Sequence, residues 1–122
     1  KPRVRFLGWR DDVAALFAAC DVFVCSSRLE PLGNVVIEAW SQEVPVVATD
    51  SLGPGTLIEH METGVLAPVD DGAALGRALK LALGDEGLRQ RITRDGHGAY
   101  QARFTETVVV RQYLEFFKRI KD

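Results

Sequence analysis

The sequence predicts an α/β fold: a doubly wound parallel sheet of about four strands followed by C-terminal helices. Two observations carry that expectation. The apolar runs VFVC (22–25) and PVVAT (45–49) are unbroken rather than alternating, as in strands buried on both faces. Around them lie stretches with apolar residues at helical spacing, so strands and helices alternate as far as Pro68, and only helical patterns follow.

Taken in order, residues 4–7 (VRFL) predict a first short strand ending at Gly8. GWRDD is a turn in which Asp11 or Asp12 is placed to cap a helix. Val13, Leu16, Phe17 and Cys20 fall on one face of that helix, and Asp21 closes it. The strand at 22–25 leads into a loop over 26–33. Asn34 is placed to cap a helix running to about Gln42, with Val36, Ile37 and Trp40 as its buried stripe. The strand at 45–49 has proline at its first position, where the missing N–H is tolerated. DSLGPG is a loop, residues 56–60 a single helical turn, and GVLAP (64–68) the last strand. Beyond it, 70–83 is a helix with Leu75, Ala78, Leu79 and Ala82 inward and Gly84 suited to its C-cap. Residues 85–104 form a polar helix weakened in its middle by Gly96 and Gly98. A third helix follows Thr105, with Val109, Tyr113, Phe116 and Phe117 as its apolar face. No repeat, low-complexity tract or linker interrupts residues 1–122, which read as a single domain.

The totals exclude several function classes. The 122 residues, 47% hydrophobic and 26% charged, suit one globular domain with a real core. A net charge of −2 with dispersed cations argues against a nucleic-acid partner. No apolar run reaches the roughly 20 residues of a membrane span, and no signal-peptide pattern opens the chain, so a cytoplasmic protein is expected. Cys20 and Cys25 read as reduced core residues. His60 and His97 lack metal-ligand spacing, so no metal is expected.

In a doubly wound sheet, ligands sit beyond the carboxyl ends of the strands. Here those ends include SRLEPLGNVVIEAW (27–40), which sets Glu30 on the loop and Glu38 about one turn into the helix. Between them Gly33 permits close approach of a ligand, and the first free amides of the helix favour an anion. A carboxylate can accept from two neighbouring hydroxyls at once, so the stretch suits a polyhydroxylated ligand carrying phosphates. The alternative is that both acids are solvated. A glycosidase pair needs carboxylates facing across a cleft, which a single strand-to-helix turn does not provide. The Gly53-Pro54-Gly55 segment reads equally as a phosphate or sugar contact and as turn punctuation.

These residues resemble the C-terminal, donor-binding half of a GT-B retaining glycosyltransferase of the group 1 type, family 4, a Rossmann-like domain. EPLGNVVIEAW is similar to that family's E-x7-E signature, and VRFLGWRDDVAALFAACDVFVCSS and VPVVATDSLGPGTLIEHMETGVLAPVDDGAALGRAL resemble its flanks in the same order. The resemblance implies a donor substrate, a nucleoside-diphosphate sugar, and no metal cofactor. It places Glu38 on the ribose hydroxyls and Glu30, the catalytic candidate, on the transferred sugar. It places the amides of Leu32, Gly33 and Asn34 on sugar hydroxyls and Trp9 and Arg10 near the base. It implies retaining transfer of a hexose-type sugar to a glycan or lipid-linked acceptor, in polysaccharide biosynthesis, at the inner face of the membrane in the complete protein. Glu43 stands where the family often has Gly, and Thr56 where it often has Glu. The family's N-terminal acceptor domain, and the strands whose Arg and Lys bind the diphosphate, have no counterpart in these residues. The 122 residues alone are therefore expected to be inactive in transfer, with a sheet edge open to a homodimer. The other reading is a nucleotide-sugar-binding module without chemistry.

Overall fold

The run Val46–Thr49 forms the middle strand of the sheet, and every residue of it is buried. A strand with no exposed side needs cover on both faces. In the computed structural model, which describes residues 3–121, that cover is helical. The elements are α1 (Val13–Ala18), β1 (Phe23–Cys25), α2 (Asn34–Ser41), β2 (Val46–Thr49), α3 (Leu52–Leu57), β3 (Val65–Ala67), α4 (Gly72–Gly84), α5 (Glu86–Arg103) and α6 (Glu106–Lys121). The sheet is parallel in the order β1-β2-β3, with Val24 opposite Val47 and Ala48 opposite Leu66.

The α/β class read from the sequence is the class found, with three strands among the described residues. Residues 4–7 are not a strand. Val4, Phe6 and Leu7 are exposed, Phe6 by 97%. A β-prone run becomes a strand only when a neighbour completes its ladder, and here β1 pairs with β2 alone.

Alternate residues of β2 feed two cores. Val46 and Ala48 pack with Phe17, Val36, Ala39 and Trp40 on the α1–α2 face. Val47 packs with Val65, Ala78, Ala82, Leu88 and Ile92 on the α4–α5 face. The two helices of the second face share one residue at their junction. Asp85 ends α4 and caps α5, its carboxylate accepting from Leu88 N at 2.9 Å, while Gly84 is the last residue of α4 and not its cap. The apolar stripe expected on the last helix is present, but no residue of α6 is buried, and Tyr113, Leu114, Phe116 and Phe117 face outward. No helix among the described residues is long and apolar enough to cross a membrane.

Trp40 joins the layers. Its indole is 1% exposed, and Nε1 donates to Thr63 O at 3.1 Å. His97 Nδ1 on α5 donates to Trp40 O at 2.9 Å. Gly96 is where α5 meets the indole. A Cβ there would stand 2.6 Å from Trp40 Cδ1 and Nε1. This glycine is a packing requirement rather than the weak point its helix propensity suggests. Just past α2, Glu43 adopts φ 56°, with its N–H on Trp40 O and Val44 N–H on Ala39 O. That is a left-handed helix exit of the kind glycine usually makes, here made by a glutamate.

Of the two cysteines, Cys25 is buried as expected, but Cys20 is exposed. α1 stops at Ala18, so the helical face that Cys20 would have joined ends before it. Gly96→Ala should destabilise the protein by about 1–3 kcal/mol through overpacking against Trp40. Gly98→Ala, with open space around it, should be neutral or stabilise by up to about 1 kcal/mol. Denaturant midpoints of the two variants check the contrast.

Candidate functional site

The carboxyl ends of the parallel strands open onto the loops at 26–33 and 50–51 and residues 68–71. Thr49, the last residue of β2, is buried, and its hydroxyl reaches Ser27 O at 2.5 Å, with Cys25 O at 3.3 Å. Three residues on, Glu30 O accepts from Gly53 N at 2.6 Å. The loop after β1 is thus bonded to the strand and helix that neighbour it.

That second contact needs glycine at 53, and the turn beside it favours glycine at 33. A Cβ on Gly53 would lie 2.5 Å from Gly33 N and 2.7 Å from Glu30 O, and one on Gly33 would lie 2.8 Å from Leu57 Cδ1. Gly33 also takes φ 75°, in the left-handed region. It is Gly33, not Asn34, that stands at the N-cap of α2; Asn34 is the first helical residue. A side-chain cap is absent because the turn is made by backbone geometry and by Glu30, whose Oε1 accepts from Gly33 N at 3.1 Å.

DSLGPG, expected as a loop, is mostly the short helix α3. Its glycine backbone donors are already taken. Gly53 N is on Glu30 O, Gly55 N is on Ser51 O, and Pro54 has none. The segment therefore acts as a packing element behind the Glu30 loop, and its two glycine amides are not available to a phosphate. The single helical turn expected at 56–60 lies earlier in the chain, because Ile58 is already extended.

Glu38 projects from α2 on the side away from Val36, Ala39 and Trp40, which are buried. It lines a hollow of about 270 Å³ with Asp11, Val13, Phe17 and Ser41, between the start of α1 and the outer face of α2. Glu30 does not line that hollow. The two carboxylates share no hollow: Glu30 is folded onto the turn that starts α2, and Glu38, the fifth of that helix's eight residues, faces α1.

Of the other residues singled out, Trp9 is 96% exposed and Leu32 69% exposed, and Asn34 is exposed. Arg10 pairs with Asp12 through Nε to Oδ1 at 2.7 Å and Nη2 to Oδ2 at 2.5 Å. Asp12 sits at the N-cap of α1 without capping it, because its carboxylate is turned to Arg10. That hydrogen bond holds the Asp12 carboxyl below the ordinary carboxylate range and raises the Arg10 guanidinium. With a lowered folded value, the pair's contribution is complete at neutral pH and is lost as pH falls through that value. Both groups face solvent, so salt screens them. Arg28, on the Glu30 loop, pairs with Asp70 beyond β3 at 2.5 Å. His60 and His97 spend a ring nitrogen on the backbone, at Leu66 N and Trp40 O. Among the described residues, no three His, Cys, Asp or Glu side chains converge as a metal-binding group.

The residues that sequence reasoning missed are Thr49 and the Gly33–Gly53 pair. A threonine ending an otherwise apolar buried run is a usable signal, since a buried hydroxyl must find a partner. The glycine pairing joins positions twenty apart and has no local signal.

With that geometry in place, comparison with known proteins gives a consistent result. Residues 1–85 match the family described as "Glycosyl transferases group 1". The chain is 41% identical over 113 residues to the lipopolysaccharide core biosynthesis glycosyltransferase LpsE of Rhizobium meliloti, covering 93% of this chain and 33% of that protein. It is 34% identical over 121 residues to a phosphatidyl-myo-inositol mannosyltransferase of Mycobacterium leprae, covering 96% of this chain and 32% of that one. The crystal structure of Anabaena Alr3699/HepE in complex with UDP superposes with a TM-score of 0.91 at 30% identity, over 96% of this chain and 32% of that one. The chain spans about a third of the length of these relatives.

Gly53→Ala should cost about 1–3 kcal/mol by forcing the two loops apart. The expected readout is a lower denaturation midpoint, together with faster amide exchange at positions 33 and 53.

Proposed function

The chain belongs to the group 1 glycosyl transferases, and from that membership we propose that it forms the donor-binding half of a transferase. The complete enzyme would move a hexose-type sugar from a nucleoside-diphosphate sugar, with retention, to a glycan or lipid-linked acceptor. The observation that carries this reading is Glu38, exposed on α2 in a hollow between α1 and α2, beside Asp11.

Each role follows from what a group can accept or donate. The Glu38 carboxylate suits the vicinal diol of a ribose. Trp9 and Arg10, on the turn that enters α1 next to Asp11, are the proposed contacts to the base. The amides of Leu32 and Asn34, beside Glu30, suit the hydroxyls of the transferred sugar. Gly33 N is bonded to Glu30, so this amide serves the sugar through the carboxylate it orients. The start of α2 favours the negative charge that grows on the departing diphosphate, without a metal. In the retaining step, the bond from the anomeric carbon to the phosphate oxygen breaks. The acceptor oxygen bonds on the same face, and its proton passes to the leaving oxygen.

Relatives named for lipopolysaccharide core biosynthesis and for phosphatidyl-myo-inositol support the acceptor class. A structural neighbour described in complex with UDP-glucose makes that donor the first to try. The reaction would take place in the cytoplasm, with lipid-linked acceptors met at the inner face of the membrane.

Calorimetric titration of the complete protein with UDP-, GDP- and ADP-sugars tests the reading. One of them should bind, and Glu38→Ala should weaken it at least tenfold, about 1.4 kcal/mol or more. Binding unchanged by Glu38→Ala would refute the assignment. Donor binding without transfer to any glycan acceptor would leave a binding module.

A further inference from the structure

We infer that Thr49 is a positioning residue for the donor site, its buried hydroxyl holding the loop that carries Glu30. The inference rests on the donor-site reading above. Thr49 is 4% exposed and ends the strand Val46–Thr49, whose other residues are apolar. A valine there would have the same shape and no polar atom to bury, so the hydroxyl needs a reason. Its partner supplies one. The β1–β2 ladder ends at Cys25 opposite Ala48. Beyond that point the chain leaving β1 has no strand partner, and the Thr49 hydroxyl takes over by donating to Ser27 O at 2.5 Å. Cys25 O lies farther away at 3.3 Å, and a hydroxyl has one proton to give, so Ser27 is the main acceptor.

Ser27 O and Glu30 O are then two fixed points of one short loop, the first held by β2 and the second by Gly53 N of α3. Glu30 in turn holds Gly33 N and so the left-handed turn that starts α2. Thr49 sits at the head of this chain of contacts. It reaches no ligand itself, being sealed beneath the loop. Its effect is on where the Glu30 carboxylate and the amides of Leu32 and Asn34 stand, and small displacements of such groups are costly in a site built from fixed donors.

The test compares Thr49→Val, which keeps the shape and removes the donor, with Thr49→Ser, which keeps the donor, in the complete protein. Donor affinity is read by titration with the sugar nucleotide that the wild type binds. The expected result is roughly tenfold weaker binding for Thr49→Val, the scale of a lost buried hydrogen bond that also orders a loop, and near wild-type binding for Thr49→Ser. In a Glu30→Ala background, Thr49→Val should add much less than its own penalty, because the two act through one loop. If Thr49→Val does not fold, Thr49→Ala carries the same comparison. Unchanged affinity in Thr49→Val would overturn the inference. So would equal losses in the Val and Ser variants, or a full additional loss on top of Glu30→Ala. A wild-type protein that binds no sugar nucleotide would overturn the donor-site reading and this inference with it. Wild-type binding that Thr49→Val leaves untouched would overturn this inference alone.

Discussion

The burial of β2 on both faces is the constraint from which the architecture follows. Val46 and Ala48 point into one core and Val47 into another, so one strand of four residues makes both helical layers obligatory. A parallel pair also needs a crossover longer than a hairpin, which α2 and α3 supply on either side of β2 in sequence. Strand direction then sends every loop that follows a strand to the same end of the domain. The site is assembled there because the topology brings three chain segments together at that end, before any particular side chain is considered.

Within that end, backbone contacts define the shape and side chains refine it. Gly53 approaches the backbone of Leu32 and Gly33 so closely that it cannot carry a Cβ, and Gly33 holds a left-handed φ of 75°. Their contact fixes the separation between the Glu30 loop and α3. The Glu30 carboxylate then has two demands on it. One oxygen already accepts from Gly33 N, which is what gives α2 its start in the absence of a side-chain cap. The carboxylate retains other lone pairs for a ligand. A group can be structural and ligand-binding at once only if the structural bond leaves it pointing at the ligand, and the left-handed turn at Gly33 determines whether it does. Glu38 has no such double duty. It stands on the solvent face of α2 over the hollow shared with α1, so its contribution is separable from the folding of the loop.

Much of this was legible from local patterns, and the failures have a common cause. Unbroken apolar runs identified β1 and β2 because burial on both faces leaves no alternation to detect. Glu30 and Glu38 could be singled out from their place across a strand-to-helix turn. What escaped were features set by partners distant in sequence. Residues 4–7 have strand composition, but composition does not supply a neighbour, and Phe6 is exposed. Gly96 looked like a flaw in α5 because its reason, the Trp40 indole, lies 56 positions earlier. DSLGPG reads as punctuation until Gly53 is seen against Glu30, which shows a short helix packed by its glycines. Asn34 was the better cap by residue preference, yet Gly33 holds the position because glycine is favoured in a left-handed turn packed against Leu57 and Gly53.

The distribution of charge at the ligand end extends the same logic. Arg28 stands in the loop after β1 and Arg10 in the turn before α1, and each faces an aspartate, Asp70 and Asp12. Exposed pairs of this kind contribute little to stability, and with Asp11, Glu30, Asp50 and Asp71 in the same segments the loops stay net acidic. In the donor-site reading proposed above, the acids and the amides at the head of α2 are then the groups that would meet a ligand. No cation stands among the described residues that line the hollow of Glu38. That carboxylate can therefore accept from hydroxyls, whereas an arginine held against it would have filled the same lone pairs.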